Sequence, residues 1–313
     1  MKKISTLVII MLSLQLVWGQ SSEELFIKSS DSLKLSGTLL MPSKVKGDLC
    51  LAIIIAGSGP TDRDGNNMMM KNNSLKDLAE GLSKNKIASY RYDKRAVGKS
   101  LRASIKEENL RFEDYINDVK ALIKYFKNDS RFSSIVLIGH SEGSLIGMVA
   151  AQNTDVDKYI SIAGVGRTAD LILKDQLREQ YGIKNISPII DSLKLGYMVA
   201  NLGKFKSIFR PSVQPYMISW FKYNPQVEIQ KLSCPTLILQ GDNDIQVKVS
   251  EAELLYKSKS SAEYKIISGM NHVLKIIKGD FNANLKSYYN SDISTSKVLI
   301  KVISKFILNN SEK

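Results

Sequence analysis

Residues 139–143 read Gly139-His140-Ser141-Glu142-Gly143, between the apolar run Ile135 to Ile138 and a stretch of small residues from Ser144 to Ala151. This is the pattern of a strand, a sharp turn and a helix, with a serine at the apex. A nucleophilic hydroxyl needs such a turn because it must project above the end of a sheet, and only small neighbours let strand and helix backbones approach closely enough. Gly139 and Gly143 supply that room. A serine hydroxyl is a weak nucleophile until a base takes its proton, and the usual base is a histidine oriented by a carboxylate. The chemistry to look for is acyl transfer through a covalent intermediate on Ser141.

The chain has only two histidines. His140 adjoins Ser141 on the turn, where its ring is expected to point away from the hydroxyl into the sheet, so His272 is the candidate base. It lies in the loop Ser268-Gly269-Met270-Asn271-His272, after the apolar segment Tyr264 to Ile267. The orienting acid is expected between serine and histidine in the chain. There the strand-like Pro235 to Leu239 runs into Gln240-Gly241-Asp242-Asn243-Asp244-Ile245-Gln246-Val247, and two aspartates compete. Charge developing on a substrate oxygen also needs preorganised N–H donors. One is expected from the backbone of Glu142, at a helix start where the macrodipole favours an anion.

At this point the chain resembles the α/β-hydrolase superfamily, whose triad acid follows a strand as Gly-x-x-Asp-x-x-Val. The resemblance selects Asp244 and leaves Asp242 as a turn former. It also implies the second oxyanion donor. In the loop Ala56-Gly57-Ser58-Gly59-Pro60, Ala56 and Gly57 take the places of the family's His-Gly, and Ser58 would donate its N–H. Ala56 departs from the family pattern. Two charged segments, Asp62 to Asn66 and Arg91 to Ser100, are expected to form a salt-bridged network bracing that loop. With Gly57-Ser58-Gly59-Pro60 before Asp62-Arg63-Asp64-Gly65-Asn66, they resemble segments of bacterial serine-aminopeptidase-like and EstD-like esterases. The resemblance spans about residues 24–164 and 230–308. It implies an α/β fold with an eight-stranded, mostly parallel sheet, helices on both faces and a helical cap inserted after the sixth strand.

The elements that must position these residues are legible as apolar runs alternating with amphipathic stretches, the mark of a parallel sheet covered by helices. Strands are expected at Glu24–Lys28, Lys34–Met41, Leu49–Ile55, Ala88–Tyr92, Ser134–Ile138, Lys158–Ile162, Thr236–Gln240 and Tyr264–Ile267, and helices at Asn73–Ser83 and Phe112–Phe126. In the second helix Ile116, Val119, Ile123 and Phe126 recur at helical spacing. Between Gly164 and Ser233 the strand patterns stop, and the segment carries Tyr197, Phe205, Phe209, Tyr216, Trp220, Phe221 and Tyr223. It is expected to form the cap, its aromatics either lining an apolar acyl or alcohol site or building the cap's own core. The expected domains are a signal peptide at 1–19, a core of 20–164 and 234–313, and the cap at 165–233.

Lys2 and Lys3 precede the apolar stretch Ile4 to Val17, which is short for a membrane-spanning helix and ends in residues small enough for cleavage after Gly19. An exported protein, periplasmic or extracellular and without a stable membrane span, is expected. The formal charge of +13 is read as solubility, with a bias toward acidic substrates or the cell envelope. The lysines are scattered and no nucleic-acid motif appears, so no nucleic-acid partner is expected. Cys50 and Cys234, the only cysteines, are expected to be buried thiols, since in the family's sheet order their strands are not neighbours. No metal is expected, because no metal-ligand spacing is visible. Gly57 and Gly59 open a dinucleotide-like motif whose third glycine falls on Asp62, and Gly98-Lys99-Ser100 ends a P-loop-like motif whose first glycine falls on Asp93.

The expected reaction is hydrolysis of a small carboxylic ester without a cofactor. Ser141 attacks, His272 carries the proton, Asp244 holds the imidazole, and the Ser58 and Glu142 amides hold the oxyanion. A peptidase or amidase would use the same triad but needs a site for a free amine, for which the Glu142 side chain is the candidate. A non-catalytic binding protein on the same scaffold is the reading from a different class.

Overall fold

A computed structural model of the chain describes residues 21–43, 49–102 and 104–309; the expected signal peptide lies outside them. Alternation in the apolar runs decides how the layers form. In β3 (Leu49–Ile55) the residues Leu51, Ile53 and Ile55 pack into one core, while Ala52 and Ile54 pack into another on the opposite face. β5 (Phe132–His140) divides in the same way, Ile135 and Leu137 against Val136 and Ile138. Strands apolar on both faces must be covered on both.

The remaining strands are β1 (Ser21–Lys28), β2 (Lys34–Met41), β4 (Ala88–Tyr92), β6 (Lys158–Ile162), β7 (Thr236–Gly241) and β8 (Glu263–Ile267). They form one eight-stranded sheet in the order β1-β2-β4-β3-β5-β6-β7-β8. β2 runs antiparallel to β1 and β4, and the other pairs are parallel. This is the mostly parallel, eight-stranded sheet that the sequence led us to expect. On one face lie α1 (Ser74–Lys84) and, near the C-terminus, a helix spanning Lys297–Leu308. The other face carries α2 (Phe112–Lys127) and α3 (Glu142–Ala151).

Five helices lie between β6 and β7: α4 (Ala169–Tyr181), α5 (Ile183–Lys194), α6 (Lys206–Phe209), α7 (Gln214–Trp220) and α8 (Pro225–Gln230). Ile186, Ile190, Leu193, Phe209 and Phe221 build a separate apolar core within this insertion. α8 behaves differently, because its Ile229 and, just beyond the helix, Leu232 pack into the main core. The chain then adds α9 (Val249–Ser258), α10 (Phe281–Ser287) and α11, the helix Lys297–Leu308. Among the described residues no helix is long and apolar enough to cross a membrane. Cys50 in β3 and Cys234 just before β7 are free thiols, half-buried rather than buried, and β5 and β6 lie between β3 and β7.

Candidate active site

The carboxyl ends of β3, β5, β7 and β8 deliver the candidate residues. Ser141 links β5 to α3 with φ 55° and ψ −123°, a conformation that L-residues rarely adopt. Its glycine neighbours are required by close approach. A Cβ on Gly139 would stand 2.3 Å from the Gly143 carbonyl oxygen, and one on Gly143 would stand 2.4 Å from that of Ile55. The turn is therefore closed between two backbones, and Ser141 N is pinned to the Ile162 carbonyl at 2.9 Å.

His272 follows β8 and is buried, as is the side chain of Asp244 after β7. His272 Nδ1 donates to Asp244 Oδ2 at 2.8 Å, the tautomer in which a neutral imidazole presents Nε2 as a base. Asp244 also accepts from the Gln246 and Val247 amides at 2.8 and 2.9 Å and from Gln240 Nε2 at 3.0 Å. Burial would raise its carboxyl, but His272 and those amides outweigh it and hold Asp244 below the ordinary carboxylate value. Asp242 points elsewhere. It accepts from Gly269 N at 2.6 Å, tying the loop after β7 to the loop after β8. Among the described residues the Ser141 hydroxyl makes no hydrogen bond, a looseness common in unliganded sites.

His140 does not point simply into the sheet. Its Nε2 donates to the His272 carbonyl at 2.8 Å, and the two rings lie 4.9 Å apart. Burial, with His272 nearby, pushes His140 down to about 3, so at neutral pH it is an uncharged strut beneath the loop that carries His272. That loop has further supports that the sequence reading did not single out. Asn271 Nδ2 donates to Asn284 Oδ1 and Ser287 Oγ at 2.9 and 2.7 Å, and the buried Lys275 donates to the carbonyls of Ser287 and Asn290. The available signal was a polar Asn-His pair inside an otherwise apolar stretch.

The oxyanion candidates approach from two sides. Gly57 packs over the nucleophile, a Cβ there standing 3.1 Å from Ser141 Cβ. Ser58 follows it, and Glu142 opens α3. The charged segments brace this loop as a network. Arg63 pairs with Asp93 at 2.7 Å, Arg91 with Asp64 at 2.8 Å, and Arg95 Nε donates to Asp118 at 2.8 Å. Asp93 also accepts from the Arg63 and Lys99 amides. Burial opposes its ionisation, yet Arg63 and these amides hold its carboxyl below the ordinary value.

The Glu142 side chain borders a cavity but is already engaged by neighbouring groups. It is buried, accepts from the Tyr216 hydroxyl and lies 3.8 Å from Lys94 Nζ. A cavity of about 280 Å³ adjoins these groups, lined among others by Ser58, Lys94, Glu142, Tyr115, Tyr216 and Trp220. The insertion thus contributes part of the wall. Its aromatics divide: Phe209 and Phe221 fill the insertion's own core, Tyr197 is exposed, and Tyr216, Trp220 and Tyr223 pack with Phe112 of α2.

Residues 68–209 match the family model of the serine aminopeptidases, S33. The chain is 26% identical over 254 residues to Esterase EstD of Thermotoga maritima, a match covering 77% of this chain and 58% of EstD. Among solved structures it is similar to Est1E of Butyrivibrio proteoclasticus with ferulic acid bound, at TM-score 0.62 and 18% identity, covering 92% of this chain and 100% of that one. An esterase of Pyrococcus furiosus gives TM-score 0.58 and 17% identity, covering 92% of each chain. The sheet order and these likenesses show an α/β-hydrolase fold, and the chain is similar to the serine-aminopeptidase-like and EstD-like group.

Proposed function

We propose that the protein is a serine hydrolase that cleaves small carboxylic esters through an acyl-enzyme on Ser141. The observation that carries this reading is the 2.8 Å bond from His272 Nδ1 to Asp244 at the mouth of the sheet that presents Ser141 on a strained turn. In the proposed cycle Ser141 Oγ adds to the ester carbonyl carbon while His272 Nε2 takes its proton. The electron pair of the C=O bond moves onto oxygen, where the Ser58 and Glu142 amides receive it. Collapse expels the alcohol with the proton from His272, and water repeats the sequence to release the acid. None of these steps calls for a cofactor.

The helical insertion acts in this reading as a cap, supplying Val213, Tyr216, Met217 and Trp220 to an apolar wall that suits an acyl or alcohol group. Likeness to esterases supports the ester over the amide. So does the state of Glu142, whose carboxylate is engaged by Lys94 and Tyr216 and is thereby withdrawn from a substrate amine. Export is part of this reading, supported by Lys2, Lys3 and the apolar segment to Val17 in the sequence.

The test is labelling of the purified protein with a fluorophosphonate probe, Ser141→Ala alongside, followed by parallel series of acyl esters and aminoacyl amides. Labelling of Ser141 with ester turnover is the expected result. Exclusive amide cleavage would replace the esterase by a peptidase, and folded wild type that neither labels nor turns over either series would leave a binding protein on this scaffold.

A further inference from the structure

Lys94 is the least expected charged group near the site. It ends the strand-loop segment after β4 and is almost fully buried, although burying an ammonium costs several kcal/mol unless it is well partnered. Its partners are specific. Nζ donates to the Gly57 carbonyl at 2.5 Å, lies 3.8 Å from Glu142 Oε2 and sits over the Tyr115 ring at 5.5 Å from the centroid. These contacts bracket the proposed oxyanion site. Gly57 precedes Ser58, so the carbonyl held by Lys94 and the Ser58 N–H belong to one planar peptide and point in opposite directions. Glu142 supplies the second N–H from its backbone and the counter-charge from its side chain. Among the described residues neither the Ser58 nor the Glu142 amide donates to a backbone carbonyl, so both remain available.

Resting on the hydrolase reading above, we propose that Lys94 is a positioning residue for the oxyanion site. Its ammonium holds the Gly57 carbonyl and so fixes the direction of the Ser58 N–H, while its pairing with Glu142 ties that peptide to the residue bearing the other donor. A cation on the carbonyl also polarises the peptide and makes its N–H a stronger donor as charge develops on the substrate oxygen. Tyr216 of the insertion closes the chain of contacts through its bond to Glu142, which links the insertion to the oxyanion site.

The experiment compares wild type, Lys94→Met and the doubly neutral Lys94→Met/Glu142→Gln. It reads kcat and KM on a short-chain p-nitrophenyl ester and the inhibition constant of a trifluoromethyl ketone, whose hemiketal oxygen on Ser141 stands in for the oxyanion. Lys94→Met is expected to lower kcat by about 10- to 100-fold, less than the outright loss of a donor causes. KM should stay within about threefold, and the inhibition constant should rise by the factor that kcat/KM falls. The double variant, with no unpaired buried charge, should regain stability without regaining kcat, and it carries the test if Lys94→Met alone does not fold. Wild-type kcat in either variant overturns the inference, because Lys94 would then only balance the charge of Glu142. Wild type that neither labels with fluorophosphonate nor hydrolyses the ester overturns the hydrolase reading itself, and this inference with it.

Discussion

The strand ends that carry Ser141, Asp244 and His272 and the helical insertion between β6 and β7 are held together by different kinds of bond. At the strand ends backbone grips backbone: Ser141 N donates to Ile162 O, Ala163 N to Leu239 O and Asn243 N to Met270 O, all between 2.9 and 3.1 Å. The parallel ladder therefore sets the positions of the candidate groups before any side chain is considered. In the insertion the ties between helices run through side chains. Gln214 bonds both ways with Val199 and donates to Phe209 O, Lys194 pairs with Asp170 at 3.2 Å, and Lys174 pairs with Asp191. The difference teaches where precision is built and where it is adjustable. Acyl transfer needs groups fixed to fractions of an ångström, whereas a substrate wall needs only shape.

The largest expected effect tests the fixed region. Ser141→Ala should lower kcat/KM on a short acyl ester by about 10⁴- to 10⁶-fold, and Asp244→Asn by about 10⁴-fold, because the latter lets His272 take the wrong tautomer. Circular dichroism would check that both variants are folded, and an Asp244→Asn enzyme within tenfold of wild type would break the assignment of that region. Next comes Phe221→Ala, which empties a fully buried position in the insertion's own core and should cost about 3–5 kcal/mol locally. Hydrogen exchange is expected to rise in α5 and α7 while β5 to β7 stay protected. Uniform loss of protection would mean that the two regions unfold as one.

A smaller effect separates them by pH. Because His140 titrates at about 3 in the folded chain against an ordinary value of 6.5, the unfolded chain binds a proton in that window that the folded chain refuses. Stability supplied by this group is complete above about 6.5 and is lost as pH falls toward 3, with a slope of up to about 1.4 kcal/mol per pH unit. Denaturant midpoints measured across that range should show the slope in wild type and a shallower one in His140→Asn. The smallest effect belongs to the insertion's rim. Arg210 pairs with Glu107 across the cavity edge with both side chains partly exposed, so Arg210→Ala should shift unfolding stability by less than about 1 kcal/mol. A larger shift would show that this rim is fastened more firmly than its exposure implies.

Strands were legible where short runs rich in apolar and aromatic residues stood between turn-forming or amphipathic stretches. Lys34–Met41, Leu49–Ile55, Ala88–Tyr92 and Lys158–Ile162 form as the sequence predicts, and these segments are largely buried on both faces. β1 begins earlier than expected, at Ser21, because polar residues at a sheet edge pair through their backbones with β2 and carry no periodic signal. The insertion's helices were not legible one by one. α6 has only four residues and α5 contains Pro188, so neither gives a clean helical repeat.

The sequence by itself determined the turn at Ser141, the alternation of strand and helix, and the chain order of serine, aspartate and histidine, since each depends on residues within a few positions of one another or on a recognisable motif. Which groups meet across the sheet was decided by tertiary structure. In the sheet β3 lies between β4 and β5, although in the chain β4 comes between β3 and β5, and that order brings Lys94 to the Gly57 carbonyl and beside Glu142. The same holds for the bond from His140 to the carbonyl of His272, which joins positions 132 residues apart. A local pattern specifies how a segment bends and which face it buries; the partner that face meets is settled when the whole sheet closes over its core.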